Sequence, residues 1–116
     1  MNRRREFYRV SYPAHEQPMM LVDDVVFPVL DLSESGACLK RTESWEGRDS
    51  PFDVCLSFPD GHEFLTSAVT VRETAEVFAV KFVRSVPLSR ILMEQRRLRK
   101  RFRHVDAELD REREFH

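Results

Sequence analysis

The sequence predicts an all-β core of six antiparallel strands followed by one long C-terminal α-helix, folded as a single domain. Three observations carry this expectation. Apolar side chains alternate with a period of two in Val54, Leu56 and Phe58, and again in Phe78, Val80 and Phe82, so each set lies on one face of a strand. Short runs of this kind follow one another from Met19 to about Val83 with turn chemistry and no helical pattern between them, which implies antiparallel pairing. After Pro87 the apolar residues become Leu88, Ile91, Leu92, Leu98, Phe102, Val105 and Leu109, a spacing that lines one face of a helix. A chain of 116 residues is enough for one modest core and too short for two.

In chain order, residues 1–10 form a basic arm without apolar periodicity, expected to be mobile until a partner orders it. The strands are predicted at Met19–Val22, Val25–Leu32, Ala37–Arg41, Phe52–Phe58, Glu63–Arg72 and Glu76–Val83. Pro59-Asp60-Gly61 marks the clearest hairpin, because Pro fixes φ and Gly accepts the positive φ of a tight turn. Pro28 has no N–H for a ladder, so the second strand should lie at an edge or bulge there. In the fifth strand Leu65, Val69 and Val71 share the expected core face, leaving Thr66, Ala68, Thr70 and Arg72 outward. Ser85 is placed to cap the helix, which is rich in Glu, Arg, Lys and Gln and uninterrupted by Gly or Pro. The organisation is thus an arm over 1–10, a β-domain over 11–84 and a helix over 85–116.

The composition, 41% hydrophobic and 34% charged, fits a folded, soluble protein. No apolar run approaches a membrane span, and the N-terminal arginines lead into no hydrophobic stretch that would make a secretion signal. Cys38 and Cys55 have no CxxC partner and no ligand-spaced His, which speaks against a disulfide framework or a metal site and for a reduced, cytoplasmic setting. The net charge of -1 conceals segregation: residues 1–11 carry +3, residues 12–95 carry -7 and residues 96–116 carry +3. Cations concentrated at the two ends point to anionic partners at defined places. An enzyme is not expected: His62-Glu63 lacks a zinc-protease spacing, the other histidines are scattered, and no glycine-rich phosphate loop occurs among three glycines.

Two pieces of sequence bear on binding. The first is Arg5-Glu6-Phe7-Tyr8-Arg9, an RxxxR preceded by Arg3 and Arg4; the second, some twenty residues on, is Asp31-Leu32-Ser33-Glu34-Ser35-Gly36. Alone, the first reads as a solvated tail and the second as a strand end running into a turn. Together, in this order and ahead of antiparallel strands and a terminal helix, they resemble the two-part signature of PilZ domains, from Arg3 to at least Phe102. The resemblance implies a six-stranded antiparallel barrel followed by a helix, and a site for the bacterial second messenger cyclic di-GMP built from Arg5, Arg9, Asp31, Ser33 and Gly36. It further implies that Arg4, directly ahead of the RxxxR, goes with an intercalated pair of cyclic di-GMP molecules. No other cofactor and no metal is implied.

The chemistry suits that ligand. Its two phosphodiesters are anionic and its guanines present O6 and N7, both of which the planar guanidinium fork binds bidentately. An ionised Asp31 accepts from guanine N1 or N2, Ser33 both donates and accepts, and residues two apart on an extended strand project to one face. Gly36 is expected to supply a positive φ and close approach, and Arg72 a further contact to a base, although a solvated strand arginine has the same appearance. The expected function is a receptor or adaptor whose arm closes over the ligand and signals to an effector protein. The alternatives are a nucleic-acid module using the basic run Arg96–Arg103, whose plainer reading is a solvated helix face, and a PilZ-fold adaptor that works without nucleotide.

Overall fold

The computed structural model describes residues 8–42 and 51–100 of the chain. Seven strands are present among the described residues: β1 (Val10–Ser11), β2 (Met19–Val22), β3 (Val25–Leu32), β4 (Gly36–Lys40), β5 (Phe52–Ser57), β6 (Glu63–Glu73) and β7 (Val77–Phe82). A helix, α1, follows over 88–100. All pairings are antiparallel, in the order β1-β3-β2-β5-β6-β7-β4, and β4 returns to pair with β3. The six strands β2 to β7 therefore close a barrel, which removes the exposed edges of an open sheet. Strand β1 continues the line of β2 along β3, pairing Val10 with Leu32 and Ser11 with Asp31. Val10 is buried, so the sheet begins one residue inside the stretch assigned to the arm.

The predicted spans of β2 and β3 match the structure, and the others differ by a residue at one end or both. Turn chemistry explains why. Asp23 and Asp24 both take positive φ in the two-residue link between Val22 and Val25, the conformation that fits the twist of a hairpin. At the β5–β6 hairpin the Phe58 carbonyl accepts from Gly61 N–H at 2.9 Å, Gly61 has φ +91°, and the Asp60 carboxylate accepts from His62 N–H at 2.9 Å.

The interior is filled by Met20, Val22, Phe27, Val29, Leu32, Leu39, Leu56, Phe78 and their neighbours, with Phe27 and Phe78 edge to face at 4.9 Å between ring centroids. Two bulges interrupt the alternation. On β3 the register with β4 shifts between Val29 and Asp31, so Leu30 is the extra residue. Phe27 and Val29 point inward ahead of it and Leu32 after it, which turns Asp31 to the outer face. The bulge lies two residues beyond Pro28, and β3 is an interior strand rather than an edge. On β6 the register with β7 shifts between Thr70 and Arg72.

The face assignment of β6 is a correction. Phe64 and Ala68 are buried, while Leu65 and Val71 are 63% and 57% exposed, so the core face holds Phe64, Thr66, Ala68 and Thr70. Arg72 is outward as expected, but through the bulge at Val71, which breaks its parity with Thr70. The helix start is a second correction. It begins at 88, where the Pro87 carbonyl accepts from Arg90 and Ile91 N–H at 3.0 and 3.3 Å, so Ser85 is not its cap. No helix among the described residues is long and apolar enough to cross a membrane.

Polar as well as apolar residues seat α1 on the barrel. Ile91 is fully buried and Leu98 packs against the core, but Glu94 is only 1% exposed between them. Its carboxylate accepts from Tyr12 Oη at 2.9 Å and from Arg97 Nε and Nη2, both at 3.1 Å, while Arg97 Nη1 reaches Glu16 at 2.6 Å. Burial and the neighbouring Glu94 carboxylate hold the Tyr12 phenol far above its ordinary range. Arg90, 8% exposed, stacks over the Phe58 ring at 4.1 Å and forms a fork on the Asp60 carboxylate at 2.8 and 3.0 Å.

Candidate nucleotide-binding cleft

The outward faces of β3, β4, β7 and β6 assemble one continuous row. Reading across the paired strands, Ser11 lies beside Asp31, Asp31 beside Cys38, Cys38 beside Ala79 and Ala79 beside Arg72. Asp31 and Arg72 are separated by three strand spacings, about 14 Å. A second row sets Gly36 beside Lys81. The large side chains of the row stand at its ends, and the middle is floored by Cys38, Ala79 and Gly36. The result is an open cleft of about 320 Å³ whose charged lining residues are Arg9, Asp31, Arg72 and Lys81.

Each predicted residue within the described range reaches this cleft. Arg9 lines it with an exposed side chain, and its carbonyl accepts from Gln95 Nε2 of α1 at 3.1 Å, which fixes the root of the arm to the helix. Asp31 Oδ1 accepts from Ser11 Oγ at 2.5 Å, so the carboxylate is held along the barrel wall. Ser33 lines the cleft at the start of the β3–β4 turn; its N–H donates to the Gly36 carbonyl at 2.9 Å and its hydroxyl to the same oxygen at 3.3 Å. The turn is anchored from outside, the Ser35 carbonyl accepting from Phe82 N–H at 2.8 Å and the Glu34 carbonyl from Val86 N–H at 2.9 Å. Arg72 completes the far end. Arg4 and Arg5 lie outside the described residues.

Gly36 requires a different explanation from the one expected. Among described glycines the positive φ belongs to Gly61, not Gly36. A Cβ on Gly36 would instead lie 2.3 Å from the Val80 carbonyl oxygen, on the backbone of the paired strand. The position needs glycine because β4 and β7 approach too closely for any side chain.

Sequence reasoning missed Ser35, Cys38, Ala79 and Lys81. Ser35 sits inside the second motif at a position that the motif leaves open, while Cys38, Ala79 and Lys81 belong to no motif and are placed in the cleft by strand register alone. The Cys38 thiol reports the local field: burial pushes its pKa up, Asp31 adds to the shift, and Arg72 and Arg9 oppose it. A carboxylate and two guanidinium groups thus surround a single small side chain. Among the described residues no cluster of His, Cys, Asp and Glu is suited to a metal ion.

No protein-family model and no curated protein matches the sequence. Solved structures do match it by shape. An uncharacterized Legionella protein, Lpg0364, aligns over 82% of this chain and 97% of its own, with TM-score 0.59 and 12% identity. YcgR from Escherichia coli, solved in complex with c-di-GMP, aligns over 89% of this chain with TM-score 0.50 and 22% identity, and the match spans 48% of that longer protein. The PilZ domain of CeSA from a cellulose-synthesizing bacterium aligns over 76% of this chain and 91% of its own, with TM-score 0.46 and 19% identity. At these identities the likeness is one of architecture, and the closed six-stranded barrel with its terminal helix gives this chain a PilZ-like fold.

Proposed function

We propose that this chain is a cyclic di-GMP receptor that binds the dinucleotide over the outer wall formed by β3, β4, β7 and β6. The single observation that carries the reading is convergence. Arg9, Asp31, Ser33 and Gly36 come from two stretches of sequence some twenty residues apart and line one cleft, together with Arg72 from a third. YcgR, whose fold this chain shares, is a protein solved with c-di-GMP bound. Arg9 takes a phosphate or a guanine edge, Asp31 accepts from the guanine N1 or N2 donors, and Arg72 stacks on or forks a base at the far end. The floor of Cys38, Ala79 and Gly36 lets a flat ring lie close to the strands. Arg4 and Arg5 add the remaining guanidinium groups from the arm, and Arg4 goes with two intercalated ligands rather than one. Because Arg9 bonds to α1 through its carbonyl, a ligand that engages its side chain also acts on the helix, the element an effector protein would read.

The chain is on this reading a receptor, not an enzyme. The basic helix offers a polyanion less than its sequence suggests, since Arg97 is committed to Glu94 and Glu16. Isothermal titration calorimetry with cyclic di-GMP tests the proposal and gives the stoichiometry. Heat with the wild type that is lost in Arg9→Ala supports it; no heat with the wild type refutes it. Amide exchange on residues 1–10 with and without ligand tests the arm: slower exchange in the complex is expected, and identical exchange refutes arm closure.

A further inference from the structure

Lys81 stands in the cleft without belonging to either sequence motif. It projects outward from β7, directly beside Gly36 on β4 and Val69 on β6, neither of which carries a charge. It is exposed, and among the described residues no hydrogen bond or ion pair engages its ammonium. Along β7 it is two residues, about 7 Å, from the Asp31–Cys38–Ala79–Arg72 row, on the side where the Ser33–Gly36 turn reaches the wall. Three cations, Arg9, Arg72 and Lys81, face one carboxylate, Asp31, which leaves the described cleft with a net charge of +2. A cyclic dinucleotide with two phosphodiesters carries two negative charges.

From this juxtaposition we infer that Lys81 is a binding residue of the site, holding one phosphodiester of the ligand above the hydroxyl-bearing turn of Ser33 and Ser35. The inference rests on the cyclic di-GMP reading and adds a division of labour to it. Arginine forks read guanine edges as well as phosphate, whereas an ammonium acts as a point charge and reads only phosphate. Lysine and arginine should therefore be interchangeable at position 81, unlike at position 9.

Calorimetric titration of cyclic di-GMP into wild type, Lys81→Ala and Lys81→Arg, at about 0.1 M and about 1 M salt, tests the inference; screening shortens from about 10 Å to about 3 Å between these conditions. Lys81→Ala is expected to bind about tenfold more weakly at the lower salt, equivalent to about 1.4 kcal/mol. The gap should close at the higher salt, and Lys81→Arg should bind as the wild type does. Thermal melting of each variant verifies that the barrel is intact. Wild-type binding with an unchanged Kd in Lys81→Ala overturns the inference and leaves the receptor reading standing. A loss that persists undiminished at high salt also overturns it, because the effect would not be one of charge. No binding by the wild type removes the receptor reading and this inference with it.

Discussion

Gly36 occupies a point where the wall of the barrel has no room for a carbon atom. The nearest obstacle to a Cβ is the Val80 carbonyl at 2.3 Å, part of the backbone rather than a side chain that can rotate away. Gly36→Ala must therefore push β4 from β7, breaking the ladder that pairs Gly36 with Lys81 and Ala37 with Val80. Overpacking of this kind costs about 2 kcal/mol. Urea unfolding should show that loss, and cyclic di-GMP affinity should fall with it because Lys81 and the Ser33 turn move apart. The neighbouring Ser33→Ala removes the long hydroxyl contacts to the Gly36 carbonyl at 3.3 Å and to the Ser35 hydroxyl at 3.4 Å, while the 2.9 Å backbone bond to the Gly36 oxygen remains. Its effect on stability should stay within about 0.5 kcal/mol, so an affinity loss in that variant reports the ligand contact itself.

Two of the polar contacts that hold helix α1 to the barrel answer to different perturbations. The Glu94 carboxylate is buried and takes hydrogen bonds from Tyr12 and Arg97. Glu94→Ala strips the partner from both, and removing one member of a buried pair costs about 3 kcal/mol; Arg97 keeps Glu16, which places the effect at that lower end. Tyr12→Phe loses one hydrogen bond to a charged group, about 1.5 kcal/mol, and urea unfolding should rank the two variants in that order. At the other attachment the Arg90 fork, followed by the His62 N–H, lowers the Asp60 pKa from 3.8 to about 2. A depressed carboxyl pKa stabilises the fold fully above its unfolded value and loses that contribution as pH falls through the folded one. Melting temperature should thus fall between pH 4 and pH 2 more steeply in the wild type than in Asp60→Asn. How much of this was legible in sequence follows from what patterns encode. The helix was visible in its 3.6-residue spacing, yet Glu94 and Arg97 look like any solvated charges because periodicity counts only apolar residues. The strands were visible between their turns, yet β6 was assigned the wrong inner face. Leu65 and Val71 are apolar and outward, and Thr66 and Thr70 are polar and inward, so composition pointed away from the actual alternation.

At the scale of the whole barrel, the bulges at Leu30 and Val71 divide β3 and β6 into halves that serve different walls. Ahead of the bulges, Val26 and Leu65 face outward in a row with Leu21 and Cys55, an exposed apolar stripe across β3, β2, β5 and β6. Beyond them, Asp31 and Arg72 face outward over the charged cleft. The motif residues Arg9, Asp31, Ser33 and Gly36 were legible from sequence, but the cleft they line was not, because Cys38, Ala79 and Lys81 reach it through strand register alone. That register also supplies an internal control for ligand binding. Strands β4 and β5 stand opposite one another in the ring, so the two free cysteines lie on opposite walls: Cys38 in the cleft floor and Cys55 in the apolar stripe. Both thiols are half-buried, and burial is the leading cause that raises the pKa of each. Both should alkylate slowly at mildly alkaline pH, because each thiol is held above its ordinary pKa. On the proposed receptor reading, cyclic di-GMP bound in the cleft covers Cys38 and leaves Cys55 open. Peptide-mapped mass spectrometry should therefore show labelling of Cys38 suppressed by saturating ligand and labelling of Cys55 unchanged. Suppression at both positions would mean that the whole barrel tightens, and suppression at neither would put the ligand elsewhere than on the β3–β4–β7–β6 wall.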